Sequence, residues 1–133
     1  MSLKFFPFFL LCSLTVQAQL AVTVSPVKIA GQKAVVPLAM TNNLAESVES
    51  ARAVCFLLDD QGKMVGQSTK WVIGGVKDRP ALQPKCDTTF SFVITSPHPW
   101  ATTNLTAKVS LTRVVLDNGK LLDVAKDARI DSQ

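Results

Sequence analysis

Few side chains in this sequence are equipped for chemistry. His98 is the single histidine, held between Pro97 and Pro99 just after Ser96. A nucleophilic hydroxyl needs a base and a strained turn that presents it, and no Gly-x-Ser-x-Gly elbow accompanies Ser96. His98 therefore reads as an exposed loop imidazole without a catalytic role. Cys55 and Cys86 would be its partners in a metal site, but positions 55, 86 and 98 lack the close ligand spacing of compact zinc sites. Asp59 and Asp60 would be the paired carboxylates of an acid-base mechanism, yet adjacent strand residues point to opposite faces. Asp60 is instead expected to accept hydrogen bonds from the turn amides ahead of Gly62, and the further oxygen ligands of a calcium loop are missing. No cofactor is called for, and the expectation is a protein that is not an enzyme.

The two tryptophans are the remaining candidates. Trp71 lies among Lys70, Lys77, Arg79 and Lys85, and rings beside cations bind sugars or single-stranded nucleic acid by stacking and charge. One ring is too few for a platform, and Trp71 shares strand parity with Val65 and Ile73, so it is expected in the core beneath a solvated basic loop. Trp100 follows Pro97-His98-Pro99 in a loop, which makes it, with His98, the better surface candidate, although a buried anchoring role for the Trp100 ring is the favoured reading. Carbohydrate or cell-wall binding through that loop is the alternative functional reading.

These residues must be positioned by strands. The chain is 133 residues long, 47% hydrophobic and 18% charged, with a formal charge of +4. That is one domain's worth, and it excludes a disordered polyelectrolyte, a collagen-like repeat and a coiled coil. The mild positive charge is too dispersed for a nucleic-acid footprint. After residue 18 the apolar pattern has period two, with turn residues at short intervals. Strands are expected at Leu20 to Val24, with a continuation at Val27 to Ile29, and at Lys33 to Thr41, Val48 to Asp59, Lys63 to Ile73, Asp87 to Thr95 and Leu105 to Leu116. Asp117-Asn118-Gly119 is a strong hairpin signal, so Lys120 to Val124 is expected to return as a seventh strand. Residues 125–133 read as a polar tail. Val54, Phe56 and Leu58 are expected on the core face of their strand. Pro37 lacks a donor for a ladder hydrogen bond, which places its strand at a sheet edge or at a bulge. The fold class is all-β: a single antiparallel β-sandwich of about seven strands over residues 19–124, immunoglobulin- or fibronectin III-like.

Met1 to Ala18 reads as a cleaved signal peptide, with Lys4, an apolar run from Phe5 to Val16, and Val16-Gln17-Ala18 as the small-residue cleavage site. The run is shorter than a membrane span, so no stable membrane insertion is expected after cleavage. The protein is expected in the periplasm or outside the cell. Cys12 falls within this segment, leaving Cys55 and Cys86. An even count in an exported domain invites a disulfide, worth roughly 3 to 4 kcal/mol by the chain-entropy argument. Strand parity points the two side chains to opposite faces, and separate thiols are the alternative.

Phe56, Leu58 and Asp60, followed by Gly62, fit the F-x-L-x-D core and turn of the FxLYD module, and Leu82-Gln83-Pro84 ahead of Phe90 fits its L-x-P loop. The stretch from Val35 to Val115 resembles this family of small extracytoplasmic β-sandwiches from bacterial envelope and secreted proteins. Asp59 stands where the family has Tyr, and Lys85 stands where Gly commonly follows the Pro. The resemblance implies a non-catalytic module and carries over no ligand-binding residues. The partner is expected to be another protein or the cell envelope, reached through exposed sheet edges at the Pro37 strand and at Lys120 to Val124.

Overall fold

Ala34, Val36, Leu38 and Met40 alternate with more exposed neighbours, and this period-two stripe is almost wholly buried. It belongs to the strand around which one of two sheets is built. The computed structural model describes residues 18–133; all of the expected signal peptide before Ala18, with Cys12, lies outside them. Within that range run β1 (Leu20–Val24), β2 (Lys28–Ala30), β3 (Lys33–Asn42), β4 (Val48–Leu58), β5 (Met64–Ile73), β6 (Asp87–Thr95) and β7 (Thr106–Leu116). A single helical turn, α1 (Val124–Asp127), and β8 (Ala128–Ser132) follow. The protein is all-β, with two sheets sharing one apolar core.

In the first sheet β3 is central. β1 and β2 pair antiparallel with one of its sides, β6 pairs antiparallel with the other, and β8 runs parallel to β1 at the margin. The second sheet is β5-β4-β7, antiparallel throughout. Phe92, Leu20, Leu38, Met40 and Leu57 are among the largest side chains fully enclosed between them.

Four expectations are corrected. The Pro37 strand is not an edge, because Pro37 pairs in register with Ser91 of β6. Its carbonyl accepts from the Ser25 amide at 2.9 Å, so its donor-less nitrogen faces the interruption between β1 and β2, where no ladder partner waits for it. The face of β4 is inverted: Ala51, Ala53, Cys55 and Leu57 are fully buried, while Phe56 and Leu58 lie half-buried on the outside. The small Ala51, Ala53 and Cys55 fit a closely packed interior between the sheets, and the bulkier Phe56 turns outward.

The third and fourth corrections concern the C-terminal segment. The Asp117-Asn118-Gly119 turn forms, with Gly119 at φ 81° and the Leu116 amide donating to the Lys120 carbonyl at 2.9 Å. Lys120 to Val124 nevertheless makes only an isolated bridge, Leu121 to Val115, and one bond from the Leu122 amide to the Val114 carbonyl at 2.9 Å. The chain then turns through α1 to the other sheet, where β8 pairs with all of β1. Residues 125–133 are therefore not a tail. Val124, Ala128 and Ile130 pack against the core, and that burial draws the segment away from the hairpin.

Cys55 and Cys86 are separate thiols, Cys55 buried in β4 and Cys86 exposed just before β6. Burial pushes the Cys55 thiol up from 9.0 to about 11. A group that holds its proton more tightly in the fold contributes full stability below pH 9, and loses it as the pH rises through 9 toward 11. Two pKa units correspond to about 2 to 3 kcal/mol. Urea unfolding of the wild type should therefore weaken by about 2 kcal/mol between pH 9 and 11 relative to Cys55→Ala. Parallel pH profiles for the two proteins would remove the buried thiol as the cause.

Candidate binding face and sheet edge

The outer face of the second sheet carries a row of three side chains. Arg52 of β4 stands opposite Trp71 of β5 on one side and Arg113 of β7 on the other. The pairing of β4 slips on both sides at this point, between Ala51 and Arg52 toward β5 and between Arg52 and Ala53 toward β7. A bulge adds a residue to one strand and re-aims the side chains beside it. Here Val72 is the extra residue on β5 and Thr112 the extra residue on β7, and the Thr112 hydroxyl donates to the Arg52 carbonyl at 3.2 Å.

Trp71 is half-buried on this outer face, not in the core, which corrects the parity expectation. The Val72 bulge reverses the alternation that linked Trp71 to Ile73. The Arg52 guanidinium lies 5.4 Å from the Trp71 ring centroid, a cation-π distance worth about 0.5 to 1 kcal/mol at an exposed site. The Trp71 ring also rests on Gly75, where any Cβ would overlap it. Arg79 fixes the segment from beyond β5: its Nη1 donates to the Trp71 carbonyl at 2.6 Å, and its guanidinium lies 5.2 Å from the Phe90 ring.

The row is unbalanced in charge. Arg52 and Arg113 are directly opposed like charges, an arrangement that destabilises a sheet. Lys108 projects from the same face, opposite Phe56. No Asp or Glu occurs anywhere in β5 or β7, and β4 has only Glu49, near its start. Among the described residues the one ion pair is Arg129 with Asp131, at 3.0 Å on the other sheet.

Beside this face, β7 is a sheet edge. From Thr106 to Thr112 its backbone pairs with β4 alone, since the returning chain makes its backbone hydrogen bonds and bridge at Val114, Val115 and Leu116. In an antiparallel edge strand every second residue turns its N–H and C=O away from the sheet. Next to that edge, a half-open cleft of about 380 Å³ separates the start of β7 from the ends of β1 and β8, lined among others by Val27, Leu105, Ala107 and Ser132. Val27, Leu105 and Ala107 are only partly covered by the core.

The residues singled out from the sequence are dispersed. Trp100 is half-buried and packs against the core, with its indole nitrogen enclosed and unpartnered, at a groove of about 180 Å³ shared with Asp59, Val65 and Ser96. His98 is exposed, and its backbone amide donates to the Ser96 hydroxyl at 3.3 Å. Among the described residues, no three His, Cys, Asp or Glu side chains gather into a metal-binding group. Asp59, not Asp60, organises the turn before Gly62: its Oδ1 accepts from the amides of Gln61 and Lys63 at 2.9 and 2.8 Å. Asp60 is exposed in the turn itself, one residue past the reach of that Asx geometry. Lys85 adopts φ 64°, the left-handed backbone that favours glycine. No helix among the described residues is long and apolar enough to cross a membrane. Lys108 faces outward as simple alternation from Leu105 predicts, whereas Arg52 and Arg113 went unremarked in the sequence because the Thr112 bulge that aligns them is invisible to an alternation count.

No family model matches the chain, and no curated protein matches it. Among solved structures it is similar to a Bordetella pertussis protein described as ApaA, with a TM-score of 0.57 and 18% identity, covering 80% of this chain and 86% of that one. It is also similar to IrmA from Escherichia coli, with a TM-score of 0.47 and 12% identity, covering 88% and 92% of the two chains. At 18% identity the first likeness bears on the fold alone.

Proposed function

We propose that this protein is an exported, non-enzymatic β-sandwich that binds another protein, in the periplasm or at the cell envelope, by accepting a strand along β7. The reading takes the sandwich as immunoglobulin- or fibronectin III-like and the Phe56-x-Leu58-x-Asp60 pattern as that of an FxLYD-type module. Support for the sandwich type comes from the grouping of strands, with β4, β5 and β7 in one sheet and β1, β3 and β6 in the other. Export is supported by the Met1 to Ala18 pattern.

The observation that carries the binding mode is the vacant position beside β7. The hairpin turn after Leu116 aims the chain at that position, yet β8 is spent on β1, leaving an open edge next to a cleft. Main-chain hydrogen bonds to such an edge supply affinity, while side chains entering the cleft supply specificity. Amide hydrogen exchange of residues 19–133, followed residue by residue, tests this. Alternate amides from Thr106 to Thr112 should exchange at rates typical of exposed backbone, while those of β3 require global unfolding. Protection of every β7 amide in the isolated monomer would mean that the edge is already occupied, and the proposal fails.

A further inference from the structure

We infer that the segment accepted by β7 is acidic: an extended stretch of a partner protein with carboxylates at alternate positions and small apolar side chains between them. This rests on the strand-addition reading above and names the chemistry of what is added.

On β7, Lys108, Ser110 and Arg113 face outward, and Ala107, Val109 and Leu111 face inward. An added strand follows the same alternation. Its outward side chains lie beside Lys108 and Arg113, with Arg52 one strand further in, and its inward side chains meet the cleft lined by Val27, Leu105 and Ala107. Carboxylates in the outward set relieve the opposed Arg52–Arg113 pair, which has no carboxylate of its own. Cross-strand pairs of opposite charge are favourable where like pairs are not.

A second copy of this chain is a poor occupant. Pairing β7 with another β7 sets Lys108 and Arg113 against the same residues of the partner copy, the device by which edge strands avoid joining one another. Protection of the edge explains Lys108 and Arg113 but not Arg52, which lies on central β4. The Thr112 bulge brings Arg113 into line with Arg52, the Val72 bulge turns Trp71 onto the same face, and Trp71, itself resting on Gly75, braces Arg52 there. A purely defensive edge has no use for that construction.

The probe is a synthetic peptide of about nine residues, a length suited to one strand, alternating Asp with Val; its counterparts carry Ser or Lys in place of Asp. The protein is residues 19–133, and binding is read by titration together with amide exchange of β7. The Asp peptide should protect the exposed β7 amides and bind about tenfold more tightly than the Ser peptide, as expected for a few partly exposed charge pairs. The Lys peptide should bind least. The advantage should shrink at high salt, and it should fall to about two- or threefold in Arg52→Gln/Arg113→Gln, where Lys108 alone remains, while the Ser peptide binds as before. Lys108→Glu, on the exposed edge, provides a second variant in which the preference moves toward the Lys peptide. Equal protection and equal affinity for the Asp and Ser peptides overturn the acidic partner while leaving strand addition intact. Binding of the Asp peptide without β7 protection, or no binding of any peptide, overturns both.

Discussion

Replacing Asn42 with Asp is expected to lower the unfolding free energy by about 4 kcal/mol at neutral pH, on the scale of breaking a buried polar network and leaving a charge in it. Asn42 ends β3 and is fully buried. Its Nδ2 donates to the carbonyls of Glu46 at 2.9 Å and Leu82 at 3.0 Å, and its Oδ1 accepts from the Leu44 amide at 2.9 Å. Its backbone joins the same knot, donating to the Cys86 carbonyl at 2.9 Å and accepting from the Lys85 amide at 2.7 Å. The side chain therefore clasps the β3–β4 connection to the loop that leads into β6. An aspartate keeps the shape, loses both donors and points a negative oxygen at two carbonyls. Its carboxyl must then titrate higher in the fold than in the unfolded chain, so the deficit is largest at neutral pH and shrinks as acid protonates it. Asn42→Ala opens the same clasp without a charge, costs about 2 to 3 kcal/mol, and its deficit does not vary with pH. Denaturant midpoints at pH 7 and pH 4 distinguish the two. An aspartate variant no less stable than the alanine one at pH 7 would show that the clasp tolerates charge and is not closed as described.

Asn42 also illustrates what a sequence withholds. Its neighbour Asn43 and the residues after it look like an ordinary turn, and the forty positions separating Asn42 from Leu82 hide their contact. Strands with clean alternation and turn residues at their ends were legible: Asp87 to Thr95 matches β6 residue for residue, and Leu20 to Val24 matches β1. Alternation says that a strand exists, not which face is buried when both faces are apolar. In β4, Val54, Phe56 and Leu58 compete with Ala53, Cys55 and Leu57, and it is the second, smaller set that enters the shared core. β8 was masked for a different reason. Ala128 and Ile130 supply its only apolar contacts, and the charges at Lys126, Asp127, Arg129 and Asp131 make the segment look solvated, although Arg129 and Asp131 simply occupy its outer face. Of the candidate site, the turn glycines and the basic residues were readable singly. Their alignment was not, since it depends on where β4 slips against β5 and β7.

The slip of β4 against β5 lies beside a close backbone approach that a glycine can test. Gly74 is buried at φ 51°, and a Cβ built on it lands on the Glu49 carbonyl oxygen, with the Glu49 carbonyl carbon at 3.1 Å and Ser50 Cα at 3.3 Å. Every one of these contacts is backbone, so β4 itself has to move to make room. Gly74→Ala should cost about 3 kcal/mol, the left-handed penalty of about 1 kcal/mol plus an overpacking term of similar or greater size. Gly31→Ala and Gly62→Ala serve as controls, because both sit at positive φ, 62° and 78°, with nothing within 4 Å of the new Cβ. They should cost only about 1 kcal/mol. The difference isolates the close approach of the Gly74 turn to the start of β4. That approach sets where β5 ends against Ala51, and hence where the Val72 bulge falls and how Trp71 meets Arg52. In Gly74→Ala the Trp71 indole should accordingly lose its packing on Gly75 and its emission should shift to the red, with Trp71→Phe in the same background identifying the ring responsible. If all three alanine variants are equally stable and the emission is unchanged, the turn does not set the Val72 bulge, and the seating of Trp71 against Arg52 does not depend on it.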